Sequence, residues 1–160
     1  MSYTPKIYLE TTVFNFYYAQ KDSQKKADTH ILFDAIKKGK YEVYTSKHVV
    51  DEIVRDSPEK FRKMKGLIEK YVRYILSFNK EAKNLADVYV AKSIIPAKYK
   101  TDALHIAVAA VNKLDFVVSF NFGHIVKPKT MVGTAFANLH HGYRHIGLCS
   151  PTEVVEYGIK

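Results

Sequence analysis

Oxygen-bearing side chains stand at several places where an element of the chain begins or ends. In KIYLETTVFNFYY (6–18), Glu10 follows the apolar run Ile7-Tyr8-Leu9 and precedes Thr11 and Thr12. A solvated acid ending a strand accounts for it; so does an acid held at the rim of the core. Asp102 follows Thr101 at the start of DALHIAVAAVNK, a segment apolar nearly all the way round and therefore expected to be buried. The helix dipole favours a carboxylate in a first turn by about 0.3–1 kcal/mol, but burial of the helix places this acid at the edge of the core. Asp51 and Glu52 each lie about 60° outside the arc of Val49, Val50, Ile53 and Val54, on opposite sides, so periodicity does not choose between them. Asn121 stands two residues after Ser119, just past the strand former FVVSF, where a turn also explains it. Oxygens of this kind, if they meet, can hold a hard divalent cation such as Mg2+ or Mn2+, which takes oxygen ligands and keeps several waters.

The charge balance narrows the partner. There are 25 Lys and Arg against 16 Asp and Glu, a formal charge of +9, which favours a polyanion such as nucleic acid. The basic runs KFRKMK (60–65), Lys37-Lys38 with Lys40, and Lys98 with Lys100 could follow a phosphate backbone; each run alone is equally a solvated helix face. Cys149 is the only cysteine, so no internal disulfide forms and a reducing cytoplasm is the expected compartment. The start of the chain lacks the features of a signal peptide, and no apolar run approaches the ~20 residues of a bilayer span. No membrane association is expected. His140, His141 and His145 with Cys149 fit no closed zinc set. His105 reads as a hydrogen-bonded core histidine, and His124 follows SFNFG near the candidate site. Neither a P-loop nor a G-x-S-x-G elbow is present.

The elements that must position these groups alternate. Strands are expected at 7–9, 41–45, 72–76, 116–120 and within HIGLC. Helices are expected over Thr12–Lys38, broken around KDSQ and closed by Gly39, and over KHVVDEIVRD behind a Ser46 cap. Further helices follow Ser57-Pro58-Glu59, occupy 79–94, begin at a Thr101 cap, and cover Thr130–Leu139; a capping box, Ser150-Pro151-Thr152-Glu153, opens the last. This alternation predicts one α/β domain over residues 1–160, with a mostly parallel sheet covered on both faces. Sites in such folds form beyond the carboxyl ends of the strands, where Glu10 and the Ser119–Asn121 segment fall.

The chain also resembles the PIN-domain family, which includes the VapC-like toxin ribonucleases. The likeness rests on Tyr8-Leu9-Glu10-Thr11-Thr12, Glu52-Ile53, Asp102-Ala103-Leu104-His105-Ile106-Ala107 and Ser119-Phe120-Asn121, in that order. It implies a three-layer α/β/α fold and a metal-dependent endoribonuclease that hydrolyses RNA phosphodiester bonds, as the toxin of a type II toxin–antitoxin pair. It further implies that Glu10, Glu52 and Asp102 hold Mg2+ or Mn2+, that Asn121 assists as a catalytic residue, and that Thr12 and Ser119 orient ligands or substrate. An antitoxin protein and a homodimer are the partners implied besides RNA. The pattern departs at Glu10 and Asn121, where the family more often has Asp. That departure supports a second reading, a catalytically weakened PIN-like module that binds RNA or protein.

Overall fold

The computed structural model describes residues 3–157. Five strands, β1 (Lys6–Leu9), β2 (Glu42–Ser46), β3 (Tyr74–Leu76), β4 (Phe116–Val118) and β5 (Gly147–Cys149), form one sheet in the order β3-β2-β1-β4-β5. Every pairing is parallel. Parallel neighbours need long crossovers, and those crossovers carry helices that cover both faces. The central strand shows the result: Ile7, Tyr8 and Leu9 are all fully buried. At the edge, Tyr74 and Ile75 of β3 stay exposed.

The helices are α1 (Thr11–Tyr17), α2 (Ser23–Lys37), α3 (Lys47–Asp56), α4 (Pro58–Tyr71), α5 (Lys80–Ala91), α6 (Lys100–Val111), α7 (Pro128–His140) and α8 (Pro151–Tyr157). Their packing separates them into two layers. Helices α1 to α4 touch one another, with α8 on α2, whereas α5 packs against α6 and α7. Two right-handed crossovers leading outward from β1 would leave α1–α4 on one face, and the return from β3 to β4 would put α5 and α6 on the other. Together with the sheet they make the three-layer α/β/α domain. Helix α6 is dense because Ala103, Ala107, Ala109 and Ala110 let its backbone come close to its neighbours, and all four are buried.

The caps explain most of the boundaries. Ser46 Oγ accepts from Val49 N–H at 3.2 Å, and Ser57 Oγ from Lys60 N–H at 3.3 Å. Ser150 and Glu153 exchange both capping-box bonds, at 2.9 and 3.4 Å. Gly39 ends the chain's turn after α2 at φ 76°, a left-handed conformation that glycine adopts without a Cβ penalty.

Three local expectations change. Thr101 does not cap α6: a 3-10 turn at Ala97–Tyr99 runs straight into the helix, which starts at Lys100, and Asp102 becomes its third residue. Val54 is exposed, not part of the buried arc of α3. Strand β4 stops at Val118 instead of continuing to residue 120. The reason lies across the sheet: Phe120 N–H donates to Thr12 Oγ1 at 2.9 Å and so leaves the ladder.

Candidate metal centre

The strand order sets the site. From β1 the chain proceeds outward to β2 on one side, while β4 pairs with β1 on the other, so the crevice beyond the carboxyl ends of β1 and β4 is the switch point of the sheet. The register pairs Leu9 with Val118, and the next residues along, Glu10 and Ser119, face each other there. Glu10 N–H still donates to Val118 O at 3.1 Å, which ties the acid's backbone to the strand end.

Glu10 is only 5% exposed. Its Oε1 accepts from Thr12 N–H at 3.2 Å, Thr12 Oγ1 at 2.5 Å and Ser119 Oγ at 2.7 Å. The bond to Thr12 N–H also makes Glu10 the N-cap of α1. Ser119 Oγ in turn accepts from Asn121 N–H at 2.9 Å. One carboxylate oxygen is thus fully engaged, and Oε2 makes no hydrogen bond to the protein among the described residues. Burial raises the Glu10 pKa; the bonds from Thr12 and Ser119 offset part of this, and the negative charge of Asp102 raises it further.

Asp102 projects from the first turn of α6. Burial raises its pKa as well, His124 and a hydrogen bond from the Asn121 side chain pull it back, and Glu52 pushes it up. The three acids thus border one crevice, but among the described residues their carboxylate oxygens do not all lie within 4.8 Å of one another. The tie between Asp51 and Glu52 is resolved by Val54. With Val54 outside the buried arc, Asp51 falls about 100° from the arc's edge and Glu52 stays about 60° away, and Asp51 is exposed while Glu52 is half-buried.

Asn121 stands beside Asp102, but its Oδ1 accepts from His124 N–H at 3.0 Å. Its amide oxygen thus shapes the 121–126 turn. His124 stacks on Tyr99, with ring centroids 3.7 Å apart. Lys37, Lys38 and Lys40, at the end of α2 and before β2, sit at the amino ends of the strands, on the opposite side of the molecule from the crevice. His140, His141, His145 and Cys149 assemble no ligand set: among the described residues, the grouping of His, Cys, Asp or Glu tight enough for one ion is His48, Glu52 and His105.

The donor chemistry suits a hard cation. Among the described residues no Lys or Arg forms an ion pair with Glu10, Glu52 or Asp102; Glu52 pairs only with His48, at 2.9 Å. Glu10 is a buried acid without a basic partner, and such groups are otherwise found neutralised or bound to a metal. Thr11 Oγ1, also buried, has no hydrogen-bond partner among the described residues and lines the cleft that Glu52 borders. Carboxylate and hydroxyl oxygens of this kind are what Mg2+ and Mn2+ take.

Thr12 holds the arrangement from two sides, so replacing its hydroxyl has a measurable cost. In Thr12→Val the Phe120 N–H is left without a partner and Glu10 loses a donor, for an expected destabilisation of about 1–3 kcal/mol. Thr12→Ser should recover most of it. Urea denaturation of the two variants checks this.

The fold and these residues define a class. Residues 6–123 match the family profile described as PIN domain, and the chain belongs to that family. Solved structures agree in fold. The chain is similar to the structure of VapBC2 from Rickettsia felis bound to a DNA fragment from its promoter, at 12% identity and a TM-score of 0.56, covering 91% of this chain and 98% of that one. It is similar to FitAcB from Neisseria gonorrhoeae at 16% identity and a TM-score of 0.57, over 91% and 97%. VapC20 of Mycobacterium tuberculosis, a Sarcin-Ricin loop cleaving toxin, aligns at 15% identity and a TM-score of 0.55, over 74% and 92%. A search of curated protein sequences returns no significant match. No helix among the described residues is long and apolar enough to cross a membrane.

Proposed function

We propose that this PIN-domain protein is a metal-dependent endoribonuclease and the toxin of a type II toxin–antitoxin pair. The observation that carries the reading is Glu10, buried at the switch point of the sheet beside Asp102, with no Lys or Arg among the described residues paired to Glu10, Asp102 or Glu52. Glu10, Glu52 and Asp102 would hold Mg2+ or Mn2+; when bound, such an ion neutralises the phosphate and lowers the pKa of the attacking water. The chain's own residues prepare that event. Thr12 and Ser119 fix Oε1 of Glu10 and leave Oε2 for the ion, while Asn121, beside Asp102, favours its ionised form.

The surface next to the acids suits single-stranded RNA. The Lys25 ammonium lies 5.0 Å from the Phe16 ring centroid and 6.0 Å from that of Phe122, which is half exposed. Lys60 and Lys63 line a neighbouring cleft with Tyr18 and Lys21. Exposed rings beside lysines provide base stacking and phosphate neutralisation together. Support for the toxin assignment comes from the similar structure of VapC20, a Sarcin-Ricin loop cleaving toxin. On this reading an antitoxin protein covers the cleft, a homodimer is the working form, and the protein is cytoplasmic.

The test is a cleavage assay on matched RNA and DNA oligonucleotides with Mg2+, with Mn2+ and with chelator. Cutting of RNA alone, abolished by chelation, is the expected outcome. RNA retention without cutting under either metal would instead establish the second reading, a PIN-like binding module.

A further inference from the structure

We propose that His48, Glu52 and His105 form a second cation site, of the kind that takes Zn2+, next to the acid pocket and sharing Glu52 with it. Candidate ligand atoms of the three side chains all lie within 4.8 Å of one another. Ligands of one zinc ion stand about 2.0–2.2 Å from it and so at most about 4.4 Å apart. Small side-chain rotations of His48 and Glu52, which are partly exposed, close that gap. Two imidazoles and one carboxylate are a borderline donor set; nitrogen ligands suit Zn2+ and its neighbours in the first transition row, while Mg2+ prefers oxygen.

The surroundings build the site. Helix α3 places His48 and Glu52 one turn apart on the same face, with Nε2 of the first 2.9 Å from Oε1 of the second. His105 comes from α6 and is 1% exposed, with Nδ1 2.6 Å from the Tyr8 hydroxyl. The Tyr8 hydroxyl donates to Ser46 Oγ at 2.8 Å, so it receives the Nδ1–H of His105, and Nε2 keeps its lone pair. A ligating histidine is commonly oriented in this way through its other nitrogen. Phe78 holds both rings: it stacks on His48 at 5.1 Å and 21°, and meets His105 edge-on at 5.6 Å and 77°. Three protein ligands with one partly exposed side leave a fourth coordination position open.

Sharing has a consequence, which rests on the ribonuclease reading. A Zn2+ ion held here engages Glu52, so it withdraws a carboxylate from the acid pocket and opposes the binding of Mn2+ there.

Co2+ serves as a spectroscopic probe of the site, with the full chain and the variants His48→Gln and Asp102→Asn, each checked for fold by circular dichroism. His48 is chosen because the buried His105 is part of the core. The expected result is one equivalent of Co2+ with visible ligand-field bands, displaced by Zn2+ and retained in Asp102→Asn. Binding should weaken in His48→Gln by at least the roughly 10–100-fold that loss of even an outer partner costs. Zn2+ should also reduce the rise in melting temperature caused by Mn2+ in the wild type, and not in His48→Gln. Absence of the bands, or Co2+ binding that Asp102→Asn removes and His48→Gln spares, overturns the proposal. Absence of any Mn2+ effect on the wild type would instead overturn the acid-pocket reading, with the Co2+ result standing.

Discussion

Asp102→Asn is expected to lose metal-dependent RNA cleavage by two to three decades while the protein stays folded. Asparagine keeps the size of the side chain and its place in the first turn of α6, so packing is unchanged. What it removes is one of the negative oxygens that would hold the ion. Metal stabilisation of a phosphoryl-transfer transition state is worth several kcal/mol, and each ~1.4 kcal/mol is about tenfold in rate. Single-turnover cleavage of a labelled RNA by wild type and variant, from parallel preparations, measures the ratio. Equal residual rates in both would indicate a contaminating nuclease and no catalysis by this pocket.

Glu10→Gln is the second change with a large effect, and it acts in opposite directions on activity and on stability. The amide oxygen of glutamine can still accept from Thr12 and Ser119, so the cap of α1 and the link to β4 survive. The charge does not, and cleavage should fall as it does for Asp102→Asn. Without metal, however, the variant should be the more stable protein. Burial and Asp102 both raise the Glu10 pKa above its ordinary value, so the folded state binds a proton more tightly than the unfolded state. Ionisation of Glu10 therefore costs stability; the cost is absent below the ordinary carboxylate range and is complete once pH has risen past the folded pKa. The advantage of Glu10→Gln should be largest near neutrality and should shrink toward acid. Melting temperatures of the metal-free proteins across that range check the sign; a variant less stable than wild type at neutral pH would contradict it.

How much of this was legible before the fold was known differs from residue to residue. The strands and most helix starts were local, because apolar runs and Ser46, Ser57 and Ser150 carry their signals within a few positions. Glu10 at the end of β1 was equally local. The start of α6 was not: Thr101 has the right chemistry for a cap, but the 3-10 turn upstream had already begun the helix. The end of β4 depended on a hydroxyl 108 residues away. Periodicity could not choose between Asp51 and Glu52 because Val54 looks apolar enough to be buried and is exposed. His48, four residues before Glu52, was a usable hint, since that spacing puts both on one helical face. The approach of His105 and Tyr8 to that pair was not readable, since it follows from the placement of α6 and β1 beside α3.

The most direct measurement is a calorimetric titration of the metal-free protein with Mn2+, run on the wild type and on Asp102→Asn. The acid pocket predicts saturable binding by the wild type that Asp102→Asn largely abolishes. Undiminished Mn2+ binding by Asp102→Asn, or none by the wild type, would contradict it.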